Sequence, residues 1–513
     1  SSSQVPEAHA LRGVQTRKRT LPVEASRTYF HFLPVFGLFG KLVLLFAVLM
    51  AVPLGFAVGQ HDEAKWPFIT GLAVTAICGV VMMLASRRAG QELRPRDGFI
   101  LVVLAWMLFP AFAAIPLKLA LPGLSITDAY FEAMSGFTTT GATVLTGLDR
   151  LPLSVNGWRC FLSLIGGLGI IVLAIAVLPL LGVGGTQLFK VESAGPMKDQ
   201  KLTPRIADTA RGLWLVYFGA SLLLMLAYRF AGMSWADAFM HMCTTISAGG
   251  FSSHDASFGH WNSPLLEAIA IVGMMLAGAS WGLYFVALRR RSPSVLWQNV
   301  EMQGYWLVIW AAVAVATLML FSQGVLPDVW TSMRQAAFNV VSVATTTGFA
   351  SVDYSLWPAF LPWLMLLIGC FATCAGSTGG GIKMVRLILL VKQSQKEMIR
   401  ILHPQSVTPV VLGGTIVPPA IMHSVIAFMM MYGAVLVGLT MLLVFTGMDL
   451  VTAFTAIVAC LNSIGPGLGS VGPAGNFQSF SDFQTWVCSF AMMAGRLELL
   501  SVLVLFTPAF WRH

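Results

Sequence analysis

Long apolar runs separated by short polar ones dominate the chain, and ten of them can cross a ~30 Å hydrocarbon core at ~1.5 Å of helix per residue. They lie near 36–59, 67–85, 98–121, 159–186, 211–232, 264–288, 304–325, 359–391, 419–446 and 484–509. Within each of the last four pairs sits a shorter apolar segment that ends in glycine. The first copy, Ser125 to Thr143, reads SITDAYFEAMSGFTTTGAT, and altered copies end at Gly250, Gly348 and Gly465. With Gly141 as anchor, Ser125 and Asp128 have counterparts at equal offsets in Ser234 and Asp237, Ser332 and Gln335, and Asp449 and Thr452. An N-cap oxygen followed three residues later by a side chain that can reach back predicts a helix start. It is clear in the first three copies and looser in the fourth.

About ten helical residues reach only ~15 Å, half the hydrocarbon thickness, before the chain meets Thr139-Thr140-Gly141, Ala248-Gly249-Gly250, Thr346-Thr347-Gly348 or Ser463-Ile464-Gly465. The pattern predicts four re-entrant loops. Non-helical backbone at membrane depth is tolerated only where it is buried in protein or lines a watery path. Rings of backbone carbonyls can replace the hydration shell of an alkali cation, with glycine supplying the φ values this needs. The alternative is four ordinary helix C-caps with glycine at C′, which repetition at fixed offsets argues against.

The composition, 57% hydrophobic and only 10% charged over 513 residues, is that of a polytopic membrane protein rather than a soluble domain. The formal charge of +9 is spread over short patches between spans, which marks topology and not nucleic-acid binding. Arg87, Arg88, Arg94 and Arg96, then Lys190, Lys198, Lys201, Arg205 and Arg211, then Arg289 to Arg291, then Lys392, Lys396 and Arg400 place one set of connections inside. Both termini are therefore expected in the cytoplasm, with the glycine loops facing outward. The seven cysteines show no CxxC pair and imply neither disulfides nor a zinc site.

The predicted fold class is an all-α polytopic membrane protein: four pseudo-symmetric span, pore-loop, span repeats around a central ion pore, plus an N-terminal helical hairpin. Residues 1–34 read as a basic cytoplasmic tail and 35–97 as a two-helix hairpin, treated as a separate appendage. The repeats occupy 98–200, 201–300, 301–405 and 406–513.

Three further features carry chemistry. Gly376 to Lys383, GSTGGGIK, mimics a phosphate loop, but Ile382 separates the last glycine from the lysine and the site lies in an apolar span. A glycine-broken helix, or small residues for close packing, are the open readings. Gly166-Gly167-Leu168-Gly169 reads as helix packing, since a dinucleotide motif needs a preceding strand. Glu132, His241 and Asn339 share one offset, nine before the anchor glycine, where the fourth copy has Ala456; they are expected to hold the half-helices or to sense protons, with the structural role favoured. Finally, Arg496 falls near the middle of the last span, where a charge costs at least ~2.5–3.5 kcal/mol. Glu498, two residues on, lies on another helix face, which leaves a carboxylate elsewhere or a place facing the permeation path.

FEAMSGFTTTGATV, GGLGIIVLAIAVLP, AGPMKD, GGFSSHDAS, CAGSTGGGIK, LNSIGPGLG and GRLELLSVLVLFTPAFWR stand in one order from about residue 36 onward. In that order the chain resembles the Trk potassium-uptake membrane subunits of the TrkH/TrkG type, within the Trk/Ktr/HKT superfamily. It departs from them in the second loop, SAGGF, and at Ser463, where asparagine is common. The resemblance implies a potassium-binding filter of Thr139, Thr140, Gly141, Ala248, Gly249, Gly250, Thr346, Thr347, Gly348, Ser463, Ile464 and Gly465. It also implies an intramembrane gate of Gly376, Ser377, Thr378, Gly379, Gly380, Gly381 and Lys383, with Arg496 beside it. It implies a homodimer in membrane lipid of the bacterial inner membrane, seated on a TrkA-like cytoplasmic ring that binds ATP, ADP or NAD. Potassium is then substrate, and no cofactor is expected in this chain.

A potassium pore used for uptake is the leading expectation. An alternating-access symporter for another cation or small solute is the competitor, but such proteins show inverted repeats around a midplane site, whereas these repeats share one orientation. An enzyme is remote, because no nucleophile–base pair or metal-ligand cluster emerges.

Overall fold

The polar N-cap residues do start short helices. In the computed structural model, which describes residues 32–87, 95–173 and 202–511, the half-helices are Ile126–Phe137, Trp235–Ile246, Val329–Ala344 and Leu450–Leu461. Ser125, Ser234 and Asp449 each accept a hydrogen bond from the backbone amide three residues on. The fourth start, expected to be loose, is capped like the first two, and the third differs. There Asp328 accepts from the Thr331 amide, and the helix gains a turn. Ser332 sits inside that turn, donating its hydroxyl to the Asp328 carbonyl at 2.9 Å. A carboxylate four residues upstream competes successfully because aspartate caps as well as serine.

Seven described helices are long and apolar enough to span a membrane, and nine do so if two bent pairs each count once. Among the described residues the fold is all-α and polytopic apart from one antiparallel pair of two-residue strands, Val411–Leu412 and Thr415–Ile416. Large apolar side chains such as Leu215, Leu223 and Phe445 point away from the bundle, as a lipid surround allows. The run of the 159–186 span beyond Leu173, the 190–201 connection with its AGPMKD motif, Arg88, Arg94 and the basic N-terminal tail lie outside the described residues.

Three of the spans are broken: two that were expected to run straight, and the 359–391 span, where the run of glycines from Gly376 had a broken helix among its readings. The 264–288 span becomes Pro264–Ala277 and Trp281–Arg290, bent by 90°, and the last span bends by 109° after Arg496. The 359–391 span becomes Phe360–Gly369 and Met384–Leu402, separated by an irregular loop. The breaks answer one another: Cys374 N–H donates to Gly278 O at 2.9 Å and Trp281 N–H to Gly376 O at 3.1 Å. Backbone groups freed by one broken helix are thereby satisfied by another, the condition for irregular chain inside a membrane protein.

The N-terminal hairpin, helices within 33–59 and Lys65–Ala85, does not stand apart. The Ser154 hydroxyl donates to Asp62 at 2.6 Å, the Phe46 ring lies 5.8 Å from that of Trp158, and a Cβ on Gly71 would come within 2.9 Å of Pro116. These contacts fix the hairpin to the first repeat.

Candidate functional site: a closed ring of four loops

Each half-helix ends the same way. The amides of Thr140, Gly249, Thr347 and Ile464 donate to the carbonyls of Ser135, Thr244, Ser342 and Ala459 at 2.8–2.9 Å, the six-to-one bond of a Schellman closure. The residue that turns left-handed to allow this is not glycine. It is Thr139, Ala248, Thr346 or Ser463, with φ of 55°, 55°, 60° and 56°, each costing on the order of 1 kcal/mol. Two residues later the anchor glycines turn left-handed again, at 85°, 72°, 90° and 101°. Alternation of this kind swings successive peptide planes the same way.

The anchor glycines are therefore not helix caps, and their surroundings show what they permit. A Cβ on Gly141 would stand 2.3 Å from the Gly249 carbonyl oxygen, on Gly250 1.9 Å from that of Thr347, on Gly348 2.2 Å from that of Ile464, and on Gly465 2.7 Å from that of Thr140. First touches second, second third, third fourth, and fourth first. The four loops close head to tail, with the backbone of each too near the next for any side chain at the glycine. The negative ends of four half-helix dipoles converge on this ring, an arrangement that favours a cation.

On one side of the ring opens a cavity of roughly 340 Å³ lined by all four anchor glycines and the residues after them. On the other side runs the broken stretch 370–383. Gly380 N–H donates to Thr346 Oγ1 at 2.7 Å, and Thr378 Oγ1 donates to the carbonyls of Ile246 and Ala277 at 3.1 and 3.0 Å. A Cβ on Gly380 would lie 2.1 Å from the Asn462 carbonyl oxygen. The stretch thus lies against the half-helix ends of the second, third and fourth repeats. Gly376 and Gly381 are left-handed, as is Lys383, whose ammonium is hydrogen-bonded to the Gly379 carbonyl. Ser377 Oγ donates to Cys374 O at 2.6 Å.

Arg496, only 4% exposed, donates from Nη2 to the Thr378 carbonyl at 2.5 Å. Glu498 instead forms an ion pair with Arg386 at 2.6 Å, in keeping with its placement on another face from Arg496. The chain turns left-handed at Glu498 and Leu499, where the straight last span was expected to continue.

The residues nine before the anchors act as staples. Glu132 accepts from the Val144 amide at 2.9 Å and from Thr143 Oγ1 at 2.8 Å. His241 Nε2 and Ser252 Oγ share a 2.8 Å hydrogen bond, and Asn339 Oδ1 accepts from the Ser351 amide at 3.2 Å. In the fourth copy, with Ala456 at the shared position, Thr455 Oγ1 accepts from the Leu468 amide at 2.9 Å. Each side chain ties its half-helix to the chain leaving the ring.

Three residues, Arg159, Glu301 and Arg386, escaped the sequence reading, and the partner of Glu498 did too. Buried Arg159 reaches Glu132 at 2.7 Å and Thr143 at 3.3 Å, and lies over the Phe251 ring at 4.2 Å, joining the first two repeats. Glu301 accepts from the amides of Ala375 and Val385 at 2.7 and 3.1 Å, clamping both ends of the broken stretch. Arg386 and Glu498 complete the support beneath it. An arginine and a glutamate at the starts of otherwise apolar spans were the available signals.

Outside the spanning segments, the Thr331 and Thr452 amides hold the Asp328 and Asp449 carboxyls below their ordinary values. Partial burial opposes charge on Asp149 and His254, but their mutual hydrogen bond, with Asp237 on the far side of the ring, outweighs it. Asp149 is lowered and His254 raised.

Comparison with known proteins agrees with this architecture. The family model described as TrkH, cation transport protein, matches residues 65–513. The chain is 42% identical over 484 residues to a Salmonella typhimurium protein named Trk system potassium uptake protein TrkH, covering 94% of this chain and 100% of that one. It is 37% identical over 474 residues to Escherichia coli TrkG, covering 92% and 97%. The crystal structure of the potassium transporter TrkH from Vibrio parahaemolyticus superposes with a TM-score of 0.87 at 38% identity, over 94% of this chain and all of that one.

Proposed function

Since this chain belongs to the TrkH family of cation transport proteins, we propose that it carries potassium across the bacterial inner membrane through the ring of four loops. The supporting observation is ring closure: four glycines, each placed so that only a hydrogen fits against the next loop's carbonyl. Backbone carbonyls fixed at this spacing can replace water around a dehydrated alkali ion. In this reading Thr139 to Gly141, Ala248 to Gly250, Thr346 to Gly348 and Ser463 to Gly465 bind the ion. The 340 Å³ cavity is then its outer entrance, and both termini are cytoplasmic.

The stretch Gly376 to Gly381, with Lys383 and Arg496, is the gate. Two buried cations and a chain folded under the ring oppose cation passage, so opening requires the stretch to move. A homodimer seated on a TrkA-like, nucleotide-binding cytoplasmic ring supplies that control, by analogy with the family resemblance; the connections between spans leave little room for a folded nucleotide-binding domain.

Rubidium uptake into proteoliposomes holding the purified chain tests the proposal. Uptake blocked by excess potassium and not by sodium is the expected result. Equal competition by both ions, or no uptake even after deletion of Gly376 to Gly381 in a folded variant, would overturn it.

A further inference from the structure

The loops that leave the first two segments of the ring meet above it. Asp149 lies in the turn Leu148–Arg150, and His254 and His260 belong to the loop that ends in the turn Ser257–His260. One ligand atom from each of these three side chains lies within 4.8 Å of the others. The two imidazole rings stack in parallel, centroids 3.6 Å apart and 4° from coplanar. Trp261 stands edge-on to both, at 4.9 and 5.0 Å, a rigid wall behind them.

The cluster is oriented as well as close. His254 Nδ1 is hydrogen-bonded to Asp149, and its Nε2 faces Asp237 Oδ2 at 3.4 Å. Asp149 accepts the Nδ1 proton of His254 in this arrangement; a metal ion would take that proton's place while Asp237 holds the Nε2 proton, the usual way an outer partner sets a ligating histidine. The second Asp149 oxygen accepts from the Asp255 amide at 3.3 Å, and Asp255 in turn accepts from the Leu148 amide at 3.1 Å. The ligand-bearing loops are thus locked to each other by amide-to-carboxylate hydrogen bonds.

We propose that Asp149, His254 and His260 form an inhibitory binding site for a first-row divalent transition metal ion, zinc foremost, at the rim of the cavity above the ring. Two imidazoles and one carboxylate suit zinc, cobalt or nickel, and disfavour the hard, oxygen-seeking calcium and magnesium. Ligands on a tetrahedral zinc with bonds of ~2.0–2.1 Å sit about 3.3 Å apart, so the side chains must close in by on the order of 1 Å and the two stacked rings must tilt out of parallel for their in-plane lone pairs to converge on the ion. Asp149 is 45% exposed and His254 15%, which leaves an entry path and a fourth position for water. His254 and Leu148 line the cavity. A divalent charge held there repels an approaching cation and ties the exit chains of two repeats together. The inhibitory half rests on the reading of this cavity as the potassium entrance; the binding half does not.

The purified full chain is titrated with zinc by calorimetry and with cobalt by visible absorption, beside His260→Ala and Asp149→Asn. One equivalent of zinc, a tetrahedral cobalt band, and affinity weakened at least about tenfold in each variant, the usual size for loss of a metal-site partner, are expected. Unchanged zinc affinity in His254→Ala/His260→Ala overturns the site. In proteoliposomes, zinc on the cavity side should inhibit rubidium uptake by the parent and spare His260→Ala, whose uptake without zinc matches the parent. Zinc binding that leaves uptake unaffected overturns the inhibitory role. Absence of uptake without zinc would instead count against the potassium reading, while the binding result stands.

Discussion

The amide of Gly380 donates to Thr346 Oγ1 at 2.7 Å, so the stretch beneath the ring hangs from the residue that turns the third loop left-handed. Displacing that stretch from the ring breaks this bond.

Thr346→Val keeps the shape of the side chain and removes the acceptor. Loss of a neutral hydrogen bond worth about 1 kcal/mol shifts the equilibrium of the stretch roughly fivefold, so basal rubidium flux per folded molecule should rise by about that factor. Flux equal to the parent's would show that the bond does not hold the gate.

Gly141→Ser places a Cβ 2.3 Å from the Gly249 carbonyl oxygen, against backbone that has no flexible end to give way, at a φ of 85°. The ring must open, and discrimination of potassium from sodium should fall. Gly123→Ala, where an added Cβ meets nothing within 4 Å, is the control. Competition assays giving the same ion ratio for the serine variant and the control would remove Gly141 from the filter.

Arg496 and Arg386 should separate cleanly. Arg496→Ala releases Thr378 and removes a charge beneath the ring, and should raise resting flux in a chain that still folds. Arg386→Ala leaves Glu498 without its 2.6 Å partner and should cost about 3 kcal/mol of stability, as breaking buried pairs does. Thermal unfolding in detergent, read beside flux, distinguishes the two; a destabilised Arg496→Ala with unaltered flux would make that residue structural instead.

Acid should loosen the third and fourth half-helices first. The carboxyls of Asp328 and Asp449 titrate below their ordinary 3.8 in the folded protein, so their capping contribution is fully present above about pH 4 and is lost as pH falls through the lowered folded values. Asp449→Asn keeps a cap and removes the charge. Its unfolding temperature should depend less on pH between about 2 and 4 than the parent's, and identical slopes would dismiss the effect.

Much was legible in the residue order alone. Apolar runs of membrane length, serine or aspartate at fixed offsets, and glycine at the fourfold anchor sufficed for the class, the number of repeats and the half-helices, because hydrophobic period and helix capping are local. The polar residues nine before the anchors were legible as a set for the same reason.

The tertiary structure decided what locality could not. Apolar composition reads alike in straight and broken helices, so the breaks at Gly278 and after Arg496 became visible only in the structure; the glycines from Gly376 to Gly381 pointed to the third break, but not to the hydrogen bonds that join it to the break at Gly278. The left-handed Thr139, Ala248, Thr346 and Ser463 carry no glycine to announce them. That the anchor glycines serve contact with the next repeat, and not capping of their own helix, depends on neighbours about a hundred residues away in sequence for the first three and, for Gly465, at the other end of the four repeats. Asp149 and His260 meet for that reason too: two loops leave adjacent sides of one closed ring, and nothing in either loop's own sequence records the other.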